Sequence, residues 1–330
     1  MARNDDNLLP APRPRRFWTV LLLLLLLLSI AVNGLLIAGI TGLKTLVATL
    51  NGSSSVRCVV VHHGAQDMIA IVPVTGLIDG ATVNEVMSDI RAINKNSRIR
   101  GVVVRVDSPG GAVTDADEIY HNLMKLRAAG YPVVISMGAM AASGGYYVSM
   151  AGERIFAEPT TITGSIGVML PGFQLTGLLK KIGVKPEFLT SSAAVWKEAG
   201  SPFSDFTPPV RAYLRNLLNI DDARFEHIVE LGRGKVLKVP ITTVANGKIF
   251  TASEALKYGL VDKIGYIDAA CHQAAKLAGV FNPTIVRLAP PLNVLSAIGV
   301  QSAVGRPVME ITPSTIYSLA SPKFEYLAVP

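Results

Sequence analysis

Hydrophobic positions follow different rules in different parts of this chain. From Phe17 to Leu43 they run on without a single charged residue, and Leu21 to Leu28 is unbroken leucine. At about 1.5 Å per residue a helix over 17–43 is roughly 40 Å long, enough for a bilayer core of about 30 Å. The apolar core of a cleaved signal peptide is shorter, about 7–15 residues, so the pattern predicts an uncleaved signal-anchor. Arg3, Arg13, Arg15 and Arg16 precede it and only Lys44 follows closely. The positive-inside tendency then puts 1–16 in the cytoplasm and everything after about 45 outside.

Past a linker at 44–66, which contains "NGSSS", the pattern becomes one of short apolar runs alternating with amphipathic stretches. "MIAIVPVTGLI" (68–78) and "IRGVVVRVDSPGG" (99–111) have the near-continuous apolar character of strands buried on both faces. "NEVMSDIRAIN" between them is helical by spacing. So is the stretch that puts Ala116, Ile119, Tyr120, Leu123 and Met124 on one face and stops at Gly130. "YPVVISM" (131–137), "RIFAEP" and "KPEFLTS" are expected as further strands. Thr207-Pro208 should open a long helix to about Leu231, and 251–265 reads as helix then strand. Such alternation predicts an α/β domain with a largely parallel sheet over 67–284. From 285 to 330 the chain turns proline-rich and is expected as an extension without clear pattern.

Composition narrows the function classes. The 330 residues carry a net charge of +7, yet no Lys/Arg cluster is interleaved with aromatics, so nucleic acid is not an expected partner. Cys58 and Cys271 lie far apart, with no metal spacing and no disulfide expected. The five histidines form no zinc signature; His62, His63, His227 and His272 are expected at surfaces, and His121, mid-helix after "DSPGG", is expected well away from that turn.

"SMGAMAASGGYYVSMAG" (136–152) carries the candidate chemistry. Two adjacent glycines are costly at a helix start, about 1 kcal/mol each against alanine. Here they follow Ser143, between a predicted strand and a predicted helix, where free N–H groups and positive potential collect. "DSPGG" (107–111) is a second glycine turn after a strand, so both fall at strand carboxyl ends, where α/β folds bind ligands. Backbone donors facing one serine make an oxyanion hole, worth about 3–4 kcal/mol of barrier. The bland alternative is two tight turns with small residues for packing.

A serine nucleophile needs a base. None of the histidines has a persuasive position. A lysine serves instead if burial lowers its pKa from about 10.4 toward neutrality. Lys197 follows Ala193, Ala194, Val195 and Trp196, an apolar setting that would strip its water; the alternative is a lysine snorkelling from an apolar loop.

"VVVRVDSPGG", "MAASGGYYVSMAGERIFAEPTTITGSIGVM", "WKEAGSPF" and "ANGKIFTASEALKYGLVDKIG" occur in that order, and together they closely resemble the signal peptide peptidase A family over roughly 68–275. The resemblance implies a ClpP/crotonase-like fold behind one transmembrane helix, and a membrane-anchored serine protease. It makes Ser143 the nucleophile, Lys197 the general base, Ser165 in "TGSIGV" a residue that holds the lysine, and Gly110, Gly111 and Gly144 the oxyanion-hole elements. It implies unstructured apolar peptides, remnant signal peptides above all, as substrates, with no cofactor and no metal. The long form of the family carries two tandem copies; this chain has one, which implies the short form and a homo-oligomeric ring. Whether the dyad closes within one chain or across neighbours stays open, as does an acyl-CoA enzyme of the crotonase type or an inactive membrane-tethered scaffold.

Overall fold

A computed structural model describes residues 15–50, 56–289 and 325–327. They belong to two compact units, each considered by itself. One holds helix α1 (Arg15–Leu50), in which Val20–Gly39 is long and apolar enough to cross a membrane.

The second unit is an α/β domain. Its elements in chain order are β1 (Arg57–His62), β2 (Ala65–Ile78), α2 (Gly80–Lys95), β3 (Ile99–Ala112), α3 (Val113–Ala128), β4 (Val133–Ala142), α4 (Gly144–Ser149), β5 (Arg154–Ala157) and β6 (Ile162–Gly164). They continue as α5 (Thr176–Lys181), α6 (Pro208–Arg233), α7 (Ile241–Val244), β7 (Ile249–Thr251), α8 (Ala252–Tyr258), β8 (Lys263–Ile264), α9 (Ile267–Ala278), β9 (Pro283–Ala289) and β10 (Glu325–Leu327). The sheet runs β1-β9-β2-β3-β4-β5-β8, parallel throughout except for β1 at the edge. β6 adds parallel to the end of β4, with β7 antiparallel beyond it.

Period-two alternation explains why β2, β3 and β4 read as unbroken apolar runs. Ala70, Val72, Val102, Val104, Val133 and Ile135 point into the core shared with α2, α3, α4 and α6. Ile69, Ile71, Val103 and Val134 point the other way, onto Ala270, Cys271, Ala274 and Ala275 of α9. Shape-matched small residues on α9 let it lie close to the valines. The long helix starts where Thr207-Pro208 places it, with proline in its first turn, although the Thr207 side chain makes no cap hydrogen bond. "TASE" forms a full capping box, Thr251 Oγ1 accepting from Glu254 N while Glu254 accepts from Thr251 N.

Several expectations need correction. Residues expected as linker include the last turns of α1 and all of β1, whose valines pair with β9. The proline-rich onset at 285 hid β9, which joins the sheet parallel to β2, and β10, which pairs with β3. "KPEFLTS" forms no strand: every residue from Lys185 to Ser191 is exposed, and no neighbour offers a ladder. "DSPGG" is not a turn but the end of β3 itself, bent by a register shift between Val106 and Ser108. The rest of 285–330 lies outside the described residues. His62, His63, His227 and His272 are exposed, as expected; His121 is exposed too, and both cysteines are free.

Buried among the apolar residues of α2 is Asp89, only 6% exposed. Burial, with repulsion from Glu85 one turn earlier, pushes its carboxyl up to about 7. The folded state therefore holds a proton that the unfolded chain releases above about pH 4, so stability falls as pH rises from there to about 7. Asp89→Asn is expected to be the more stable chain at pH 8, by about 2–4 kcal/mol, with the difference vanishing near pH 4. Urea denaturation in detergent at the two pH values measures it, and an equal difference at both would contradict the assignment.

Candidate active site

β4 places the serine by changing partners. Its first half pairs with β5 as far as Met137, and its last three residues pair with β6, Ala142 opposite Gly164. Between Met137 and Ala141 it advances four residues while β3 advances only two, from Val106 to Ser108. The surplus forms a bulge at Gly138–Met140. Side chains satisfy the backbone freed there. Asp107 Oδ1 accepts from Met140 N at 3.1 Å, and Thr161 Oγ1 donates to Gly138 O at 2.6 Å. Thr163 Oγ1 donates to Ala141 O, also at 2.6 Å.

The strand then delivers Ser143 at φ 54 and ψ −117, a conformation a non-glycine residue adopts only under constraint. Both its backbone groups are engaged: N–H donates to Gly164 O at 2.8 Å, and C=O accepts from Tyr147 N at 2.8 Å. A serine at this position ordinarily caps the helix with its hydroxyl. This one does not. Ser143 Oγ is fully enclosed and is the one buried side-chain polar atom without a hydrogen-bond partner among the described residues. Buried polar groups are nearly always paired, so an idle hydroxyl in a strained position calls for a functional account.

Helix α4 behind it is anchored by the two tyrosines of the motif, both fully buried. Tyr146 donates to Leu260 O at 2.9 Å. Tyr147 donates to Asp117 Oδ1 at 2.5 Å, and Arg224 donates to the same oxygen at 2.6 Å, tying α3, α4 and α6 together. The adjacent "GLVD" is fixed by Asp262, which accepts from Ile155 N at 2.7 Å and pairs with buried Arg233 at 3.0 Å. These contacts hold the start of α4 still while leaving its first N–H groups unused by the helix itself.

The glycines bring the two motifs into contact. A Cβ on Gly145 would lie 2.9 Å from Ser108 O, and one on Gly111 would lie 2.0 Å from Ile78 O. Only bare backbone permits either approach. Gly110, at φ 110, gives its N–H to Ser108 Oγ at 3.0 Å. Ser165 follows Gly164 directly and so stands next to Ser143; it too has positive φ, 51, and its N–H donates to Lys248 O at 2.7 Å. A cleft of about 660 Å³ opens beside it, lined by Ser165, Asp222, Asn246 and Lys248 among others.

Ser143, Ser165, Gly110, Gly111 and Gly144 are therefore assembled at one place. Lys197 is not among them. It is exposed, in a run of turns between α5 and α6 where Trp196 stacks on Tyr213 at 5.1 Å between ring centroids. The apolar residues before it remain uncovered in the single chain, so the expected stripping of its water does not occur there. Sequence reasoning also passed over Asp107, Thr161 and Thr163. The aspartate of "DSPGG" was the available signal, but only the bulge of β4 gives it a task.

Comparison with known proteins gives this arrangement relatives. The sequence profile described as Peptidase family S49 matches residues 125–281, and that of Clp protease matches 64–163. A Synechocystis protein named as a protease is 37% identical over 212 residues, covering 64% of this chain and 75% of that one. Protease 4 of Haemophilus influenzae is 34% identical over 235 residues, 68% of this chain but 37% of its own length. An Enterococcus faecium protein named signal peptide peptidase SppA is 30% identical over 200 residues, 61% of this chain and 57% of that one. The chain thus spans little more than a third of Protease 4. Among solved structures, a membrane-bound stomatin-specific protease, 1510-N, superposes with a TM-score of 0.45 at 16% identity, over 68% of this chain and 99% of that one. On the extent and identity of the Synechocystis match, with the profile over 125–281 in agreement, the chain belongs to peptidase family S49.

Proposed function

We propose that this chain is a serine endopeptidase of the membrane, with α1 crossing the bilayer, its N-terminus cytoplasmic and the α/β domain outside. The observation that carries the reading is the Ser143 hydroxyl, enclosed, unpartnered and held at positive φ at the head of α4. In a peptidase family member, that is a group kept out of structural hydrogen bonding for attack on a carbonyl. Ser143 Oγ adds to the peptide carbonyl and Lys197 takes its proton, then returns it to the leaving amine. Water hydrolyses the acyl-enzyme by the same route. The oxyanion goes to the Gly144 and Gly111 N–H groups, while Gly110, its own N–H engaged by Ser108, shapes the end of β3. No cofactor enters this scheme.

The base comes from a neighbouring copy. A lysine must be neutral to act, which requires loss of water around it. In one chain Lys197 is exposed, and so are Phe173, Leu178, Leu189, Val195 and Trp196 of the same stretch. An uncovered apolar arm of this kind is what a subunit interface covers. Docked on a second copy, the arm would carry Lys197 into the cleft beside Ser165, whose hydroxyl then orients the neutral amine. Repetition of that head-to-tail contact closes a ring. A ring with its sites inside admits extended chains and excludes folded ones. Unstructured apolar peptides, including signal-peptide remnants, are the substrates proposed; the Enterococcus relative's name points the same way.

Ser143→Ala and Lys197→Ala are each expected to abolish peptide hydrolysis, and activity surviving in the serine variant would remove Ser143 as nucleophile. Assembled together in equal amounts, the two inactive chains should recover about a quarter of wild-type activity, since about one neighbouring pair in four then supplies both intact residues. No recovery would mean that the dyad closes within a chain.

Asp107→Ala frees the bulge that aims Ser143. It is expected to lower kcat about 10–100-fold with little change in KM, because small misplacement of reacting groups is costly. Asp107→Asn, whose side-chain oxygen can still accept from Met140 N, should restore most of that loss. Steady-state kinetics of both variants separate this from simple destabilisation, which would leave kcat per folded chain intact.

A further inference from the structure

α9 covers only part of its face of the sheet. Ile69, Ile71, Val103 and Val134 lie beneath it, but the outer strands β9 and β1 extend past it. Val286 and Leu288 of β9 point into the main core, so Ile285 and Arg287 point to the α9 side. Val59 of β1 stands directly opposite Arg287, and both are exposed. Between α9 and these strands opens a cavity of about 890 Å³, as large as sites that bury small molecules. Ile71 and Ile285 form its floor, Cys271 and Ala275 face it from α9, and Val61 borders it from β1. Phe281 stands beside it, 93% exposed. The Cys271 thiol brings no charge, because burial, with Asp268 nearby, pushes it up to about 11.

Charge is set unevenly around this apolar hollow. Lys276 borders it from the last turn of α9, and Arg287 continues the positive side along β9. Neither takes part in an ion pair among the described residues. Asp268, the one acid of the cavity wall, is in the first turn of α9, about two turns from Lys276. The chain supplies a second constraint. Only residues 51–56 separate the end of α1 from the start of β1, and so short a tether reaches no further than about 25 Å. A surface that begins at such a tether meets lipid of the bilayer at high effective concentration. We infer that the cavity takes one acyl chain of an anionic phospholipid from that bilayer, with the phosphate drawn to Lys276 and Arg287. His62 and His272 also border the cavity and add N–H donors for the headgroup. The inference rests on α1 lying in a membrane and not on the peptidase reading.

Phosphatidylglycerol carrying a photoreactive group in one acyl chain, mixed into phosphatidylcholine vesicles that hold the full chain, tests this directly. After illumination the adducts are mapped by mass spectrometry. Adducts are expected on α1 and, separately, on the cavity residues of α9 and β9. The same group on phosphatidylcholine should mark α1 equally but the cavity about tenfold less. Lys276→Glu with Arg287→Glu should cut the cavity yield from phosphatidylglycerol about tenfold and leave the α1 yield unchanged, while Lys276→Arg should keep both. Adducts on α1 without any in the cavity would overturn the inference, as would equal cavity yields from the two lipids. A photoreactive free fatty acid that marks the cavity better than phosphatidylglycerol would overturn the choice of a phospholipid. No adducts on α1 would overturn the membrane reading and this inference with it, whatever the result of the hydrolysis assays.

Discussion

The bulge in β4 is the constraint on which the site depends. A strand in regular register from Val133 onward would keep β5 as its neighbour and point Ser143 to a face of the sheet. Two surplus residues, latched by Asp107 and Thr161, turn the strand onto β6 instead. Two results follow from the one deformation. Ser143 arrives at positive φ with both backbone groups engaged and its hydroxyl unengaged, and the edge of β3 beyond Ser108 loses its partner. The posture of Ser143 and the place of β10 on the edge of β3 are thus products of the same divergence, which is why they lie together.

Rigid support surrounds this deformation. α4 is short, so its own hydrogen bonds hold it weakly. Its place comes from buried Tyr146 and Tyr147, with Asp117, Arg224 and the Arg233–Asp262 pair behind them. Such contacts fix a strained residue that local preference alone would relax. On the other face of the sheet, α9 with its small residues lies over Val103 and Val134.

The segment between α5 and α6 behaves differently from this framework. It has few buried side chains, and its apolar residues face outward. On the proposed reading the chain is half of each of two sites: it offers Ser143 to one neighbour and Lys197 to another. On that reading, assembly switches on chemistry that a lone copy lacks.

Much of this was legible beforehand for a physical reason. Apolar periodicity and capping are local, so α1, the buried strands β2 to β4, the Thr207-Pro208 helix start and the "TASE" box could be read directly from neighbouring residues. A serine followed by two glycines between a strand and a helix was equally plain. Pairing is not local. β9 lies beside β2 although more than two hundred residues separate them in the chain, and the proline-rich stretch after it gave no hint that β9 or β10 belonged to the sheet. The partner switch of β4, the φ of Ser143 and the work of Asp107 likewise exist only once three strands compete for one edge. Lys197 is the sharpest case: its apolar neighbours are a sequence fact, but whether they strip its water depends on what packs over them, and one folded chain leaves them bare.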